Sequence, residues 1–225
     1  MSAGGEVEGA VRLVLLGPPG AGKGTQARVL VEQFGTPHIS TGDALRNAIR
    51  QGDDLGKAAQ ELVNAGKLVP DELVRGIVEG RLAGENCRDG FILDGYPRSL
   101  RQARDLDDIL EAAGCPLERV VELSLGEDEI VRRLSGRRMC TGCGSVFHVV
   151  FNRPHREDIC DGCGAELIQR DDDREDVIRE RLRVYDETSA PLVKHYRERG
   201  LLVTVSAADA VEAVTRRIRQ MLEPA

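Results

Sequence analysis

Tryptophan is absent from this 225-residue sequence, and the remaining aromatics are four phenylalanines and three tyrosines. So thin a supply of rings argues against a base-stacking platform for single-stranded nucleic acid. An excess of positive charge is missing too: 31 basic residues face 38 acidic ones, a formal net charge of −7. A protein that coats nucleic acid with a broad cationic surface is therefore not expected. No apolar run approaches the ~18 residues of a membrane-crossing helix. The opening MSAGGEVEGA has neither the basic start nor the apolar centre of an export signal, so a cytoplasmic protein without a membrane partner is expected. Lysine is scarce, 4 of the 31 basic residues against 27 arginines. Most of those arginines read as compositional bias, but arginine suits bidentate phosphate binding, so individual positions need local arguments. Each lysine in a special loop is correspondingly informative.

What is present is an alternation of short apolar runs and helical patterns. Strands are expected at 11–16, 38–40, 91–94, 119–125 and 201–205. Helices are expected at about 23–34, 43–50, 55–65, 71–83, 99–113, around Ile130 to Leu134, at 173–199 with an interruption at Pro191, and at 209–222. Strands separated by helices predict an α/β fold with a mostly parallel, five-stranded sheet covered on both faces. Residues 137–170 break this rhythm and read as an insertion. Residues 1–9 read as a frayed tail.

GPPGAGKGT (17–25) lies between the first strand and the first helix, the context a phosphate-binding loop needs. Glycines let backbone N–H groups converge on phosphate oxygens, and the helix N-terminus adds partial positive charge. Lys23 can bridge the outer phosphates, and a hydroxyl can support Mg²⁺. Gly24 follows the lysine where the general pattern has Ser or Thr; Thr25 comes one later. This Gly-Lys-Gly-Thr ending resembles the P-loop of the nucleoside monophosphate kinases.

In FILDGYPRSLRQA (91–103), Asp94 ends a strand at the carboxyl edge of the sheet, where open α/β sheets bind ligands. A carboxylate there can organise Mg²⁺ through water. Gly95 and Pro97 turn the chain and present Arg98. This stretch is similar to the adenylate kinase signature, and STGDALR (40–46) and GKLVPDELV (66–74) match as well. Taken bare, Ser40 or Thr41 reads as a helix cap and Asp71 as another.

CTGC (140–143) and CDGC (160–163) are two C-x₂-C pairs, each followed by glycine. Four thiolates at this spacing predict a closed tetrahedral Zn²⁺ site at Cys140, Cys143, Cys160 and Cys163. Disulfides are the alternative, and iron accepts the same four sulfurs. Cys87 and Cys115 have no such partners and read as structural or incidental.

The resemblance spans residues 11–222 and implies a P-loop nucleoside triphosphate hydrolase-like fold. Its implied divisions are a core (1–39, 70–136, 171–225), an AMP-binding flap (40–69) and a zinc-bearing lid (137–170). It implies an adenylate kinase that interconverts ATP and AMP with ADP, with Mg²⁺ accompanying ATP, and a monomer. The resemblance implies ATP contacts at Gly20, Ala21, Gly22, Lys23, Gly24, Thr25, Arg133, Arg137, Val146 and Phe147. It implies AMP contacts at Thr41, Arg46, the Lys67-Leu68-Val69 backbone, Gly95, Tyr96, Pro97, Arg98 and Gln102, with Arg170 and Arg181 on the acceptor side. Lys23, Arg133, Arg137, Arg170 and Arg181 would stabilise transferred charge; Asp172 and Asp173 would join Asp94 in holding the Mg²⁺–nucleotide arrangement. Arg138 also matches, without an assigned role. Two departures stand out: Phe147 where relatives have Tyr, and Ser206-Ala207 where they have an Asp-Gly-like pair, leaving backbone contact near Asp209. Two alternatives stay open: a kinase for UMP, CMP or GMP, and an ATP-dependent switch or nucleic-acid binder carrying a zinc knuckle.

Overall fold

The computed structural model describes residues 11–83 and 90–222. The expected N-terminal tail and Cys87 lie outside the described residues. The core strands are β1 (Arg12–Leu16), β2 (His38–Ser40), β3 (Phe91–Asp94), β4 (Arg119–Ser124) and, late in the chain, β8 (Leu202–Ser206). They form one parallel sheet in the order β2-β3-β1-β4-β8. From β1 the chain moves toward β2 on one side; from β3 it crosses to β4 and then β8 on the other. The loop after β1 therefore sits centrally on the carboxyl edge, where such sheets bind ligands.

The helices are α1 (Lys23–Phe34), α2 (Thr41–Gln51), α3 (Asp54–Asn64), α4 (Asp71–Leu82), α5 (Leu100–Ala113), α6 (Glu127–Ser135), α7 (Glu175–Glu198) and α8 (Val211–Leu222). Strand alternation sends side chains to both faces, and both are apolar, as a doubly covered sheet requires. Val14, Leu16, Phe91 and Leu93 pack with Val78, Leu106 and Tyr196 on one face. Leu13, Leu15, Ile92 and Leu123 pack with Ala27, Leu30, Val214 and Ile218 on the other. Among the described residues, no helix is long and apolar enough to cross a membrane.

Two sequence expectations need correction. Helix α7 runs through Pro191 without a break. A proline there removes one intrahelical donor, but Leu182 before it and Leu192 and Tyr196 after it are buried, and this packing holds the helix together. Asp71 does not cap α4: it lies in the first turn, after Pro70, and its carboxylate accepts from Gln102 Nε2 at 2.6 Å. Ser40 is the cap of α2, accepting from the Asp43 N–H at 3.2 Å.

Residues 137–170 fold as a separate antiparallel sheet of β5 (Arg137–Cys140), β6 (Val146–His148) and β7 (Leu167–Ile168), in the order β6-β5-β7. Its own core is small: Cys140, Phe147, Cys160 and Leu167. A 3-10 turn, Asp171–Asp173, leads from it into α7.

Candidate active site

The register of the parallel sheet assembles the site. Ser40, Asp94 and Leu15 are direct partners across β2, β3 and β1. The loops that follow these strands therefore open at one level, which brings Gly17–Gly22, Thr41 and Gly95–Arg98 around one cleft. That cleft has a volume of about 1710 Å³, larger than the roughly 300–1,000 Å³ typical for one small ligand.

The phosphate loop is held open by its own geometry. Gly17 has φ +136°, and a Cβ there would stand 2.5 Å from the Leu123 carbonyl oxygen, so only glycine fits. Lys23, the first residue of α1, donates from Nζ to the Gly17 and Pro18 carbonyls at 2.7 and 2.8 Å. Its ammonium thus folds back over the loop. Loss of water pushes its pKa down to about 8, against the opposing pull of Asp94. A Cβ at Gly24 would lie 3.3 Å from Asp94 Oδ2, a tight approach that any larger residue there would have to accommodate. Burial drives the Asp94 carboxyl up, but the nearby His38 imidazole and the charges of Lys23 and Arg98 outweigh it and hold it below the usual carboxylate range.

Across the cleft, Thr41 Oγ1 donates to the Gly95 carbonyl at 2.9 Å, and Arg98 Nε donates to the same oxygen at 2.8 Å. Arg98 is open to the cleft yet deep within it; lost hydration, with Arg181 nearby, lowers its pKa to about 10, so it stays charged. Arg46 pairs with Asp43 at 2.6 Å. Lys67, Leu68 and Val69 line the cleft. Tyr96 is fully buried, with its ring in the core. Gln102 is buried with both ends engaged: Oε1 accepts from the Arg98 N–H at 2.7 Å and Nε2 donates to Asp71.

The two ends of the 137–170 segment gather the remaining arginines. Arg137 makes a two-pronged contact with Asp173, Nε and Nη2 donating at 2.8 and 2.6 Å. Arg181 Nη1 lies 3.0 Å from Asp172 Oδ2 and 3.5 Å from Asp173 Oδ1. Arg170 rests its guanidinium on the Met139 sulfur; lost hydration first, then Arg137 and Arg46, bring its pKa down to about 9. Arg133 donates to Glu129 at 2.9 Å. Arg138 contacts the Ser135 and Arg137 carbonyls. Val146 and Phe147 line the cleft from the 137–170 segment, Gly20 to Thr25 from the phosphate-loop side. Asp209 lines it too, but its carboxylate is paired with Arg217 at 2.5 Å. Sequence reasoning missed His38, whose Nε2 lies 3.7 Å from Asp94 Oδ2; its place next to Ser40 on β2 was the available signal.

The four cysteines converge, all sulfurs lying within 4.8 Å of one another. Cys140 Sγ is 3.3 Å from Cys163 Sγ, and Cys143 Sγ is 3.6 Å from Cys160 Sγ. A tetrahedron with Zn–S bonds of ~2.3 Å has edges of ~3.8 Å, so the spacing fits a single ion. The two knuckles match: Gly144 and Gly164, at φ +73° and +74°, return their N–H groups to the Cys140 and Cys160 carbonyls. The Gly142 and Cys143 N–H groups donate to Cys140 Sγ at 3.3 and 3.4 Å, which favours a thiolate there. Cys115 stands apart as a free thiol.

A family model described as Adenylate kinase matches residues 15–201. The chain is 47% identical to the adenylate kinase of Archaeoglobus fulgidus over 213 residues, covering 95% of this chain and 98% of that one. It is 48% identical to that of Methanococcoides burtonii, with 95% and 99% covered. It is 49% identical to that of Acidothermus cellulolyticus, with 92% and 95% covered. The matched span takes in the phosphate loop, the Gly95–Arg98 turn, the four cysteines and the arginines at the ends of the 137–170 segment alike, and on that footing the chain belongs to the adenylate kinase family.

Proposed function

We propose that the protein catalyses reversible transfer of the terminal phosphoryl group of MgATP to AMP, giving two ADP by direct in-line displacement. The observation that carries this reading is the facing pair of anion-binding surfaces in one cleft: the Gly17–Lys23 loop on one side, Arg46 and Arg98 beside Thr41 and Gly95 on the other. A cleft with two such walls suits two phosphorylated ligands end to end, and holding them so is itself the main catalytic device.

Lys23 exchanges its loop carbonyls for phosphate oxygens. Gly20 to Thr25 supply N–H groups and the helix terminus, and Arg133, Val146, Phe147 and the backbone near Asp209 hold the rest of ATP. Arg46 and Arg98 orient the AMP phosphate, with Thr41, the Lys67–Val69 backbone, Gly95–Pro97 and Gln102 around the nucleoside. Gln102 must then leave Asp71 to meet the base. Arg137, Arg170 and Arg181 neutralise the transferred group. Asp94, with Asp172 and Asp173 nearby, would hold the Mg²⁺ that accompanies ATP, and that ion would supply neutralising charge for the phosphates. A phosphate monoester is already largely dianionic at neutral pH, so the acceptor needs no general base. Residues 137–170 act as a lid that excludes water, 40–69 as the acceptor flap, and the remainder as the core.

The lid metal is zinc in this reading. Four sulfur ligands leave no open position, so its role is to fold a segment whose own core is four residues. Thiols kept as ligands imply a reducing, cytoplasmic setting. The working unit is a monomer without nucleic acid.

The test is transfer from MgATP to AMP, GMP, UMP and CMP measured side by side. AMP is expected to be the best acceptor by a wide margin; equal or better use of another monophosphate overturns the assignment. Transfer of a chiral phosphoryl group is expected to invert configuration. Retention would sink the in-line step.

A further inference from the structure

Gln26 sits one helical turn beyond Lys23 on α1 and is buried. Its amide reaches across to α8. Nε2 donates to the Val211 carbonyl at 3.1 Å, and Oε1 accepts from Thr215 Oγ1 at 2.7 Å. The same hydroxyl lies 2.9 Å from the Val211 carbonyl. Val211 is the first residue of α8, which begins where the loop after β8 ends, and Thr215 lies one turn further on. That loop is anchored at its other end by the Ala207 N–H, which donates to the Ser124 carbonyl at 2.9 Å.

The loop, Ala207-Ala208-Asp209-Ala210, lines the same cleft as the phosphate loop. It offers methyl groups and one carboxylate already paired with Arg217. Any base seated there must be read by backbone groups, so recognition depends on where the backbone lies. Ala27, Val214 and Ile218 add apolar contacts between α1 and α8. Apolar packing is non-directional and does not by itself fix the sliding of one helix along another. A buried hydrogen-bonded amide does, because displacing it strands polar groups away from water.

We infer that Gln26 and Thr215 are positioning residues for the donor nucleotide: their clamp sets the separation between the loop that grips its phosphates and the loop that faces its base. The inference rests on the reading of this cleft as the ATP site. Thr215→Val keeps the shape and removes the hydroxyl. It is expected to raise KM for ATP about three- to tenfold, the range of one lost hydrogen bond, with kcat at saturating ATP and KM for AMP within twofold of the unsubstituted protein. Inhibition by inorganic tripolyphosphate, which has no base, should not change. Thr215→Ser should restore KM. Ile218→Val, a core change on the same helix, should lower the melting temperature without moving the ratio of ATP to tripolyphosphate affinity. Equal weakening of ATP and tripolyphosphate in Thr215→Val, or a lower melting temperature with unchanged KM for ATP, overturns the proposal. Absence of any ATP-to-AMP transfer by the unsubstituted protein would instead count against the reading of the site.

Discussion

Asp173 is the group whose loss should be felt most widely. Its side chain is fully buried (0% exposed), whereas Arg137 and Arg181 keep 19% and 21% of theirs. Arg137 opens the 137–170 segment and Asp173 lies just past its end, so their contact ties the two ends of that segment together. Asp173→Asn keeps the shape, removes the charge and leaves an NH₂ facing a guanidinium. Removing one partner of a fully buried ion pair costs ~3–5 kcal/mol. Because both arginines retain some water, we take the lower end, about 3 kcal/mol. For a chain of this length each kcal/mol moves Tm by roughly 2–4 °C, so a fall of about 6–12 °C is expected. The assay is calorimetry at pH 7 without nucleotide and with metal content held constant, since bound ligands shift Tm by mass action. In an Arg137→Met background the same substitution should cost less than half as much, because the more closely paired of the two stranded cations is gone. A fall below about 2 °C, or equal falls in both backgrounds, would refute the view that this pair fastens the two ends of the segment.

Lys23→Met should lower kcat at least about 100-fold, the effect of losing one preorganised charge-stabilising donor, while far-ultraviolet dichroism stays native; retained turnover would remove the phosphate-loop assignment. The depressed Lys23 pKa also sets a pH dependence. Because the free protein's lysine loses its proton near pH 8, kcat/KM for ATP should bend downward above about pH 8, and Lys23→Arg should abolish the bend. For stability the sign is opposite: the buried ammonium is a penalty at neutral pH, relieved as pH rises from about 8 toward the ordinary value near 10.5. Chelation, or Cys140→Ser, should release one metal ion per chain, read by elemental analysis, and lower Tm by about 10 °C or more; an unchanged melt would dismiss a structural metal.

The parts of the site that were legible in the sequence are those whose chemistry is local. A phosphate loop needs its glycines and lysine within one turn, and a cysteine knuckle needs its two sulfurs three residues apart, so GPPGAGKGT and the two C-x₂-C pairs declare themselves. The central strands β1 and β3 were legible because burial on both faces makes each a nearly continuous apolar run. The strands of the 137–170 segment were not: β5, β6 and β7 are two to four residues long, too short for a period to register. The continuity of α7 through Pro191 was not either, since propensity at one residue is overridden by packing along the rest. Pairings such as Arg137 with Asp173, or Gln26 with Thr215, join residues 36 and 189 positions apart, and nothing in either local sequence selects the partner.

The arginines show why that matters. On exposed helix faces they are matched within one turn: Arg75 with Glu79, Arg179 with Glu175, and Arg183 with both Glu180 and Glu187. In the cleft Arg46 has Asp43 and Arg133 has Glu129 one turn away, but the cations as a set are not matched. Lys23, Arg46, Arg98, Arg137, Arg170 and Arg181 act on one another alongside Asp43, Asp94, Asp172 and Asp173, six cations against four carboxylates. The pKa values of Lys23, Arg98, Arg170 and Arg181 are all lowered, by lost hydration first and by the neighbouring cations after it. A chain with a net charge of −7 has thus gathered a positive surplus in one poorly hydrated place. Folding alone gains nothing from this, since the crowding opposes the compact state. Polyanions entering the cleft would relieve the repulsion. They would also raise the depressed pKa values, so nucleotide binding near pH 8 should be accompanied by uptake of protons, chiefly at Lys23. Calorimetry in buffers of different ionisation enthalpy reads that uptake directly. Binding without it would mean that the surplus is matched by groups other than these and that the cleft was not built around an anion.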